Sequence, residues 1–306
     1  MPRLKTESAK DNLLRRVRKQ RLKYITILPS LITILNGVCG FAAIVLASKG
    51  ATARMAQFSC LAMAGYMILL AMIADMLDGR LARMSHSTSS FGGQLDSLCD
   101  IVSFGIAPAF LMLKILEYKL GGFANQSPLL ASLLHRFVWL TAAVYMSCGA
   151  IRLARFNVEN EDDESAHMSF VGLPIPAAAG VIVSLIIFHQ ETLPGLSTQN
   201  ARAYLVCENA ITYSLPILAL GLAVLMVSRI RYPHVLNQYI HGKKPFAHFI
   251  WALLLLGVIA WSRQTALVLI FCGYAASSFV KWCYYRIPAF QRAGKWSKAQ
   301  ESIPAS

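Results

Sequence analysis

Four aspartates fall within twenty-six residues, Asp75, Asp78, Asp96 and Asp100, in the stretch DMLDGRLARMSHSTSSFGGQLDSLCD that separates two long apolar runs. An ionisable side chain beside hydrocarbon is costly unless it is paired or bound to a cation. Asp75, Asp78 and Ala82 recur at i, i+3 and i+7, and Gly92, Asp96 and Asp100 at i, i+4 and i+8, so each set lines one face of a helix. Two antiparallel helices turned toward each other would bring all four carboxylates to one point. Like charges at such spacing cannot all stay ionised without a counter-ion, and hard oxygen donors with water nearby suit Mg²⁺ or Mn²⁺, two ions per site being the expectation. Gly79 and Ala82 remove bulk beside Asp78 so that a ligand can approach the helix, and Arg83 adds a planar donor fork suited to phosphate. Carboxylates, cation, arginine and glycine together point to a diphosphate. Any single Asp at a helix end reads more simply as a solvated loop acid; four in helical register with an arginine reverse that weighting.

The elements that must carry these residues are membrane helices. Of 306 residues, 56% are hydrophobic and only 14% charged, with a mean hydropathy of +0.51, which indicates an all-α polytopic membrane protein rather than a soluble globule. Apolar runs cover about 25–48, 57–77 with its helix continuing to Arg83, 92–115, 137–155, a fifth opening on VGLPIPAAAG, then 205–228, 246–261 and 264–282. Eight such runs are long enough to cross a bilayer. The expected plan is eight membrane helices. In the first run Ser30, Thr33 and Asn36 form a polar stripe that should face protein, and helix packing alone would explain it. The loop SHSTSS can offer hydroxyls and backbone N–H groups to a diphosphate, with His86 read as facing solvent.

Charge orients the plan. The net charge is +14, yet the basic residues cluster at the ends of apolar runs, the pattern of membrane topology and not of nucleic-acid binding. An even number of spans places both termini on one side. With that side cytoplasmic, 22 of the 29 Lys and Arg residues lie inside and 7 outside, which also puts the Asp75–Asp100 stretch at the cytoplasmic face. Residues 1–24 carry nine Lys or Arg interleaved with Leu13, Leu14 and Val17, and read either as an amphipathic helix on an anionic leaflet or as a solvated tail. Cys39, Cys60, Cys148 and Cys272 lie inside apolar runs without paired spacing and read as buried small hydrophobes in a reduced setting.

The residues from Asp75 onward follow the pattern D, two residues, D-G, two residues, A-R, eight residues, G, three residues, D, three residues, D without a departure. The pattern resembles the signature of the CDP-alcohol phosphotransferases, integral membrane enzymes that move a phosphoalcohol from a cytidine diphosphate donor to an acceptor hydroxyl. LPSLITILNGVCGF, SFGIAPA, IRLARFNV, GLPIPAAAG and LMVSRIRYP further resemble the membrane-embedded bacterial phosphatidylserine synthase branch of that family, over about residues 25–233. Ser30 departs from it, standing where Asn is expected.

This resemblance implies transfer from CDP-diacylglycerol to L-serine, giving phosphatidylserine and CMP, with a divalent metal. Asp75, Asp78 and Asp96 become metal ligands, and Asp100 a second-metal ligand and general base. Gly79, Ala82, Arg83 and Ser89, with Thr33 and Asn36 of the first span, become the contacts of the CDP and diphosphate. Arg152 and Arg155 share a helix face at the cytoplasmic end of the fourth span. They serve either as topological anchors or as the fork for the serine carboxylate, with Asn157 as helper and Arg229 and Arg231 as the other candidate pair. Glycerol phosphate, an inositol species or choline are competing acceptors. A non-catalytic transporter would use intramembrane acids as an ion path, but its acids should recur on several helices, whereas these sit in one hairpin. The domain plan that the resemblance implies is a basic segment 1–24, a membrane domain 25–233 that is a six-helix core, a two-helix C-terminal extension 234–282 and a basic tail 283–306. Nothing familiar covers the extension, which is expected to supply helix packing or the surface of a homodimer.

Overall fold

The computed structural model describes residues 29–55, 58–84, 90–124, 128–162, 169–197, 200–228, 230–233, 262–277 and 279–280. The first span is α1, Pro29–Ser48. It is followed by a two-residue ribbon of β1 (Arg54–Met55) and β2 (Phe58–Ser59) and by α2, Cys60–Met84. The third span is one continuous rod made of α3 (Ser90–Asp100), a π-helical segment Ile101–Ile106 and α4 (Ala107–Ala124). Next come α5 (Pro128–Asp162), β3 (Ser169–Val171) and α6 (Ile175–Ile187), which continues through a second π-helical segment, Phe188–Thr192, into α7 (Leu193–Ser197). The long α8 (Ala201–Val227) and β4 (Arg231–Pro233) complete the core, and a helix over residues 263–277, here α9, lies beyond it.

Six helices among the described residues are long and apolar enough to cross a membrane, matching the six-helix core that the sequence predicts. The expected seventh span, 246–261, lies outside the described residues, and the eighth falls on α9. The largest difference is α5, expected over 137–155 and found over Pro128–Asp162. The apolar run marks the hydrocarbon crossing, whereas the backbone ladder continues past it because Leu, Ala, Arg and Glu at both ends are good helix formers.

Lipid is as apolar as leucine, so these helices adhere through close backbone approach instead of apolar burial. On α1 the buried residues Thr33, Asn36, Cys39, Ala43 and Ala47 form one small-residue stripe, while Leu31, Leu35, Val38 and Phe41 are exposed on the other face. A Cβ at Gly37 would lie 3.0 Å from Cys99 Sγ, and one at Gly40 would lie 2.6 Å from the Ser103 Cα, so glycine lets α1 press on the third span's backbone. There the π-helical turns make it possible for Ser103 Oγ to donate to the Asn36 carbonyl at 2.9 Å, and for Tyr145 on α5 to donate its hydroxyl to the Phe104 carbonyl at 3.1 Å. α5 packs on α4 and α8, and α2 on α6, around a core that includes Phe104, Leu111, Met112, Tyr145, Ile175 and Ile182.

β3 and β4 form a second ribbon, unforeseen in the sequence reading, and they join the GLPIPAAAG and LMVSRIRYP segments: Gly172 N–H donates to the Ile230 carbonyl at 2.8 Å and Leu173 N–H to the Leu225 carbonyl at 3.0 Å. Gly172 has φ +83°, and a Cβ there would run into the Met226 carbonyl oxygen, so only glycine suits the junction.

If the Gly40 contact fixes α1, Gly40→Ala should cost about 1–3 kcal/mol, lowering the melting temperature in detergent by at least about 3 °C. Gly221→Ala, where a Cβ meets nothing within 4 Å, is the matched control and should stay near wild type. Equal melting temperatures for the two variants would rule out a backbone-tight α1 interface.

Candidate active site

The end of α2 and the start of α3 bring the aspartates together. One carboxylate oxygen each of Asp75, Asp78 and Asp96 lies within 4.8 Å of the other two. Asp78 is buried, and Asp75 and Asp96 are half-buried. The i, i+3 spacing on α2 turns its two acids to one face, and α3 presents Asp96 to that face from the opposite strand of the hairpin. Asp100, one turn beyond Asp96, stands outside the three-oxygen set. It is 6% exposed, and its Oδ1 accepts a hydrogen bond from Asn36 Nδ2 at 2.8 Å, so α1 holds the fourth carboxylate in place.

The donor set suits a divalent cation. Asp78 Oδ2 and Asp96 Oδ1 are buried with no hydrogen-bond partner, a state that is costly for a carboxylate oxygen unless a cation or ligand group meets it. The described ion pairs, Lys114–Glu117 at 2.7 Å and Lys119–Glu208 at 2.6 Å, lie elsewhere. Three hard oxygens from two rigid helices are the kind of ligands that Mg²⁺ and Mn²⁺ accept.

The residues expected around the diphosphate divide. A Cβ at Gly79 would meet nothing within 4 Å, so the α2 surface beside Asp78 is open to a ligand. Thr33 is buried on α1, donates to the Pro29 carbonyl at 3.0 Å and lies within reach of Asp78. Asn36 is fully buried, and its Oδ1 has no donor. Ala82 and Arg83 belong to α2 by their backbone, whereas Ser89 lies outside the described residues.

On α5 the two arginines part company. Arg152 is 8% exposed, its Nε has no hydrogen-bond partner, and it sits within electrostatic range of Asp100 and Tyr274. Arg155 is half-buried. Asn157 is held by α3: its Nδ2 donates to Ser97 Oγ at 2.9 Å, and that hydroxyl is also 3.1 Å from the Gly93 carbonyl, to which it can donate. Asn157 thus braces the helix that carries Asp96. Arg229 lies outside the described residues, and Arg231 begins β4. Ser97, Ser103 and Tyr274 were not singled out from sequence. Ser103 lies inside the quoted SFGIAPA, but nothing in the pattern of apolar and polar residues marks a π-helical turn there.

A separate cavity of about 290 Å³ is lined by Arg54, Ser59, Lys119, His189, Gln190 and Glu208 among others. Ser59 precedes Asp75 by sixteen residues, about 24 Å along a helix, so this cavity lies at the opposite end of the bundle. Lys119 pairs with Glu208 there at 2.6 Å, and Ser59 donates to Gln190 at 2.9 Å. It has no set of converging carboxylates.

Comparison with known proteins agrees with the geometry. A CDP-diacylglycerol–serine O-phosphatidyltransferase of Helicobacter pylori is 30% identical over 228 residues, 74% of this chain and 81% of the relative. Its namesake in Methanocaldococcus jannaschii is 33% identical over 216 residues, 71% and 78% of the two chains, and that of Bacillus subtilis 30% over 207 residues, 68% and 90%. The sequence model of the CDP-alcohol phosphatidyltransferase family matches residues 26–227, which contain all four aspartates and the six-helix core, and the chain belongs to that family.

Proposed function

We propose that this protein transfers the phosphatidyl group of CDP-diacylglycerol to the hydroxyl of L-serine, releasing phosphatidylserine and CMP, at the cytoplasmic face of the inner membrane. The observation that carries this reading is the three-carboxylate cluster with unpartnered buried oxygens, with the buried Arg152 within electrostatic range of the adjacent Asp100. The relatives named for serine transfer, similar over most of the chain, support the choice of acceptor.

In this reading Asp75, Asp78 and Asp96 hold Mg²⁺ or Mn²⁺. Metal bound there would neutralise charge on the diphosphate and on the leaving phosphate. The open α2 face at Gly79 admits the cytidine diphosphate, and Thr33 and Arg83 are assigned to its polar groups. Asp100 takes the proton from the serine hydroxyl, while Asn36 keeps its second oxygen aimed by holding Oδ1. The serine oxygen then bonds to the lipid-linked phosphorus, and the bond from that phosphorus to CMP breaks with its electron pair on CMP. Arg152 binds the serine carboxylate: it is the buried member of the pair, and a fork donor in low dielectric holds a carboxylate better than an exposed one. The inside count of 22 basic residues against 7 supports the cytoplasmic orientation.

The central measurement is CMP release from CDP-diacylglycerol with and without serine; release that ignores serine sinks the assignment. Asp100→Asn should abolish turnover yet keep CDP-diacylglycerol binding, because an amide can hydrogen-bond but cannot take the proton. Wild-type turnover in that variant would remove Asp100 as base. Gly79→Leu should fold, since its Cβ meets open space, yet lose CDP affinity, measured by calorimetry. An unchanged CDP dissociation constant would place the cytidine elsewhere. Arg152→Lys should raise the serine KM about tenfold, near 1.4 kcal/mol, while the CDP-diacylglycerol KM barely moves. Should the serine KM stay put, the carboxylate must be sought at Arg155, Arg229 or Arg231.

A further inference from the structure

The cavity at the end of the bundle remote from the aspartates takes no part in the proposed reaction, yet it is walled by four separate parts of the chain. Arg54 and Ser59 come from the ribbon that joins the first two spans, Lys119 from the end of α4, His189 and Gln190 from the second π-helical segment, and Glu208 from the first turns of α8. All six stand near the ends of spans, at the depth of lipid headgroups in the leaflet opposite the aspartates. The ribbon pairs Arg54 with Ser59, and Ser59 donates to Gln190 Oε1 at 2.9 Å, so Arg54 is held at the edge of the cavity.

The ligand it suits depends on which charges are free. Lys119 is neutralised by the buried Glu208 at 2.6 Å, so that pair adds no net charge. Gln190 Nε2 lies 3.3 Å from His189 Nδ1, and His189 Nε2 lies 3.3 Å from Thr212 Oγ1. An amide nitrogen can only donate, so Nδ1 accepts, the ring proton sits on Nε2, and that N–H is spent on Thr212. His189 is thereby a neutral imidazole with both nitrogens engaged. Arg54 has no carboxylate partner among the described residues. The cavity therefore keeps one positive charge, and that charge is a planar fork of donors suited to phosphate oxygens.

The surroundings favour a lipid over a soluble anion. Tyr118 and Tyr204 also line the cavity, and tyrosine is a residue type enriched where bilayer meets water. Met55, Phe58 and Leu205 are each next in sequence to a lining residue and are exposed, so apolar surface adjoins the polar space. The cavity volume of about 290 Å³ is at the lower end for a small-molecule pocket, which suits a headgroup and leaves acyl chains outside.

We propose that this cavity is a lipid site distinct from that of the donor, and that it receives the phosphodiester of an anionic phospholipid from the leaflet opposite the aspartates. Arg54 grips the phosphate oxygens, and Met55, Phe58 and Leu205 lie against the acyl chains. The single negative charge of a phosphodiester matches the single uncompensated charge of the cavity.

The test uses the full-length protein in nanodiscs of equal parts phosphatidylglycerol and phosphatidylcholine, with the lipids that stay bound on release into detergent counted by native mass spectrometry. Wild type should retain phosphatidylglycerol in preference to phosphatidylcholine. Arg54→Gln should lower that preference at least about fivefold while serine-dependent CMP release stays within about twofold, which shows that the variant is folded and that the site is separate from the transfer. Glu208→Gln removes the carboxylate that neutralises Lys119 and should shift retention the other way, toward more phosphatidylglycerol. Equal preference in wild type and Arg54→Gln, weaker retention in Glu208→Gln, or phosphatidylcholine held as well as phosphatidylglycerol each overturns the proposal. Displacement of the bound lipid by millimolar inorganic phosphate would make free phosphate the occupant and overturns the lipid assignment.

Discussion

The convergence of Asp75, Asp78 and Asp96 at the end of a membrane hairpin is the constraint on which the surrounding structure depends. Carboxylate oxygens this close repel one another, and the less water reaches them the stronger the repulsion becomes. They stay together because each is carried by a helix that has no freedom to separate. α1 is pressed against the third span through Gly37 and Gly40, α5 is tied to α3 by Asn157 and Ser97, and α2 is packed on α6. The bundle thus holds like charges close together, an arrangement that a cation bound there would relieve.

Asn36 shows how one residue ties α1 to the third span. Its amide donates to Asp100, its backbone carbonyl accepts from Ser103, and both partners are on the third span. Two hydrogen bonds in a low-dielectric environment are worth more than in water, and losing either would leave a buried polar atom without a partner. The π-helical turns that follow Asp100 are what bring Ser103 round to Asn36. A uniform α-helix from Ser90 to Ala124 would turn Ser103 through a different angle relative to Asp96 and Asp100.

A similar contrast holds on α5. Arg152 and Arg155 are neighbours on one helix face, yet one is buried within electrostatic range of Asp100 and the other is only half-covered, although their sequence positions look equivalent. Asn157, offered by the sequence as a helper for an acceptor, is hydrogen-bonded to Ser97. The three segments IRLARFNV, GLPIPAAAG and LMVSRIRYP are far apart in the chain, and the β3–β4 ribbon with Gly172 joins the latter two.

Sequence alone determined the helical class, the six core spans, the identity of the acids and the faces they occupy. These follow from local rules, since apolar run length sets a span and the 3.6-residue period sets a face. It could therefore place Asp75 with Asp78, and Asp96 with Asp100. Only the tertiary structure decided that three of the four carboxylates share one point while Asn36 holds the fourth, and that Arg152 is the buried arginine. Those outcomes depend on the register between helices. In a membrane that register is set by where small residues allow backbones to touch and where a π-helical turn widens the spiral, and neither leaves a period in the sequence.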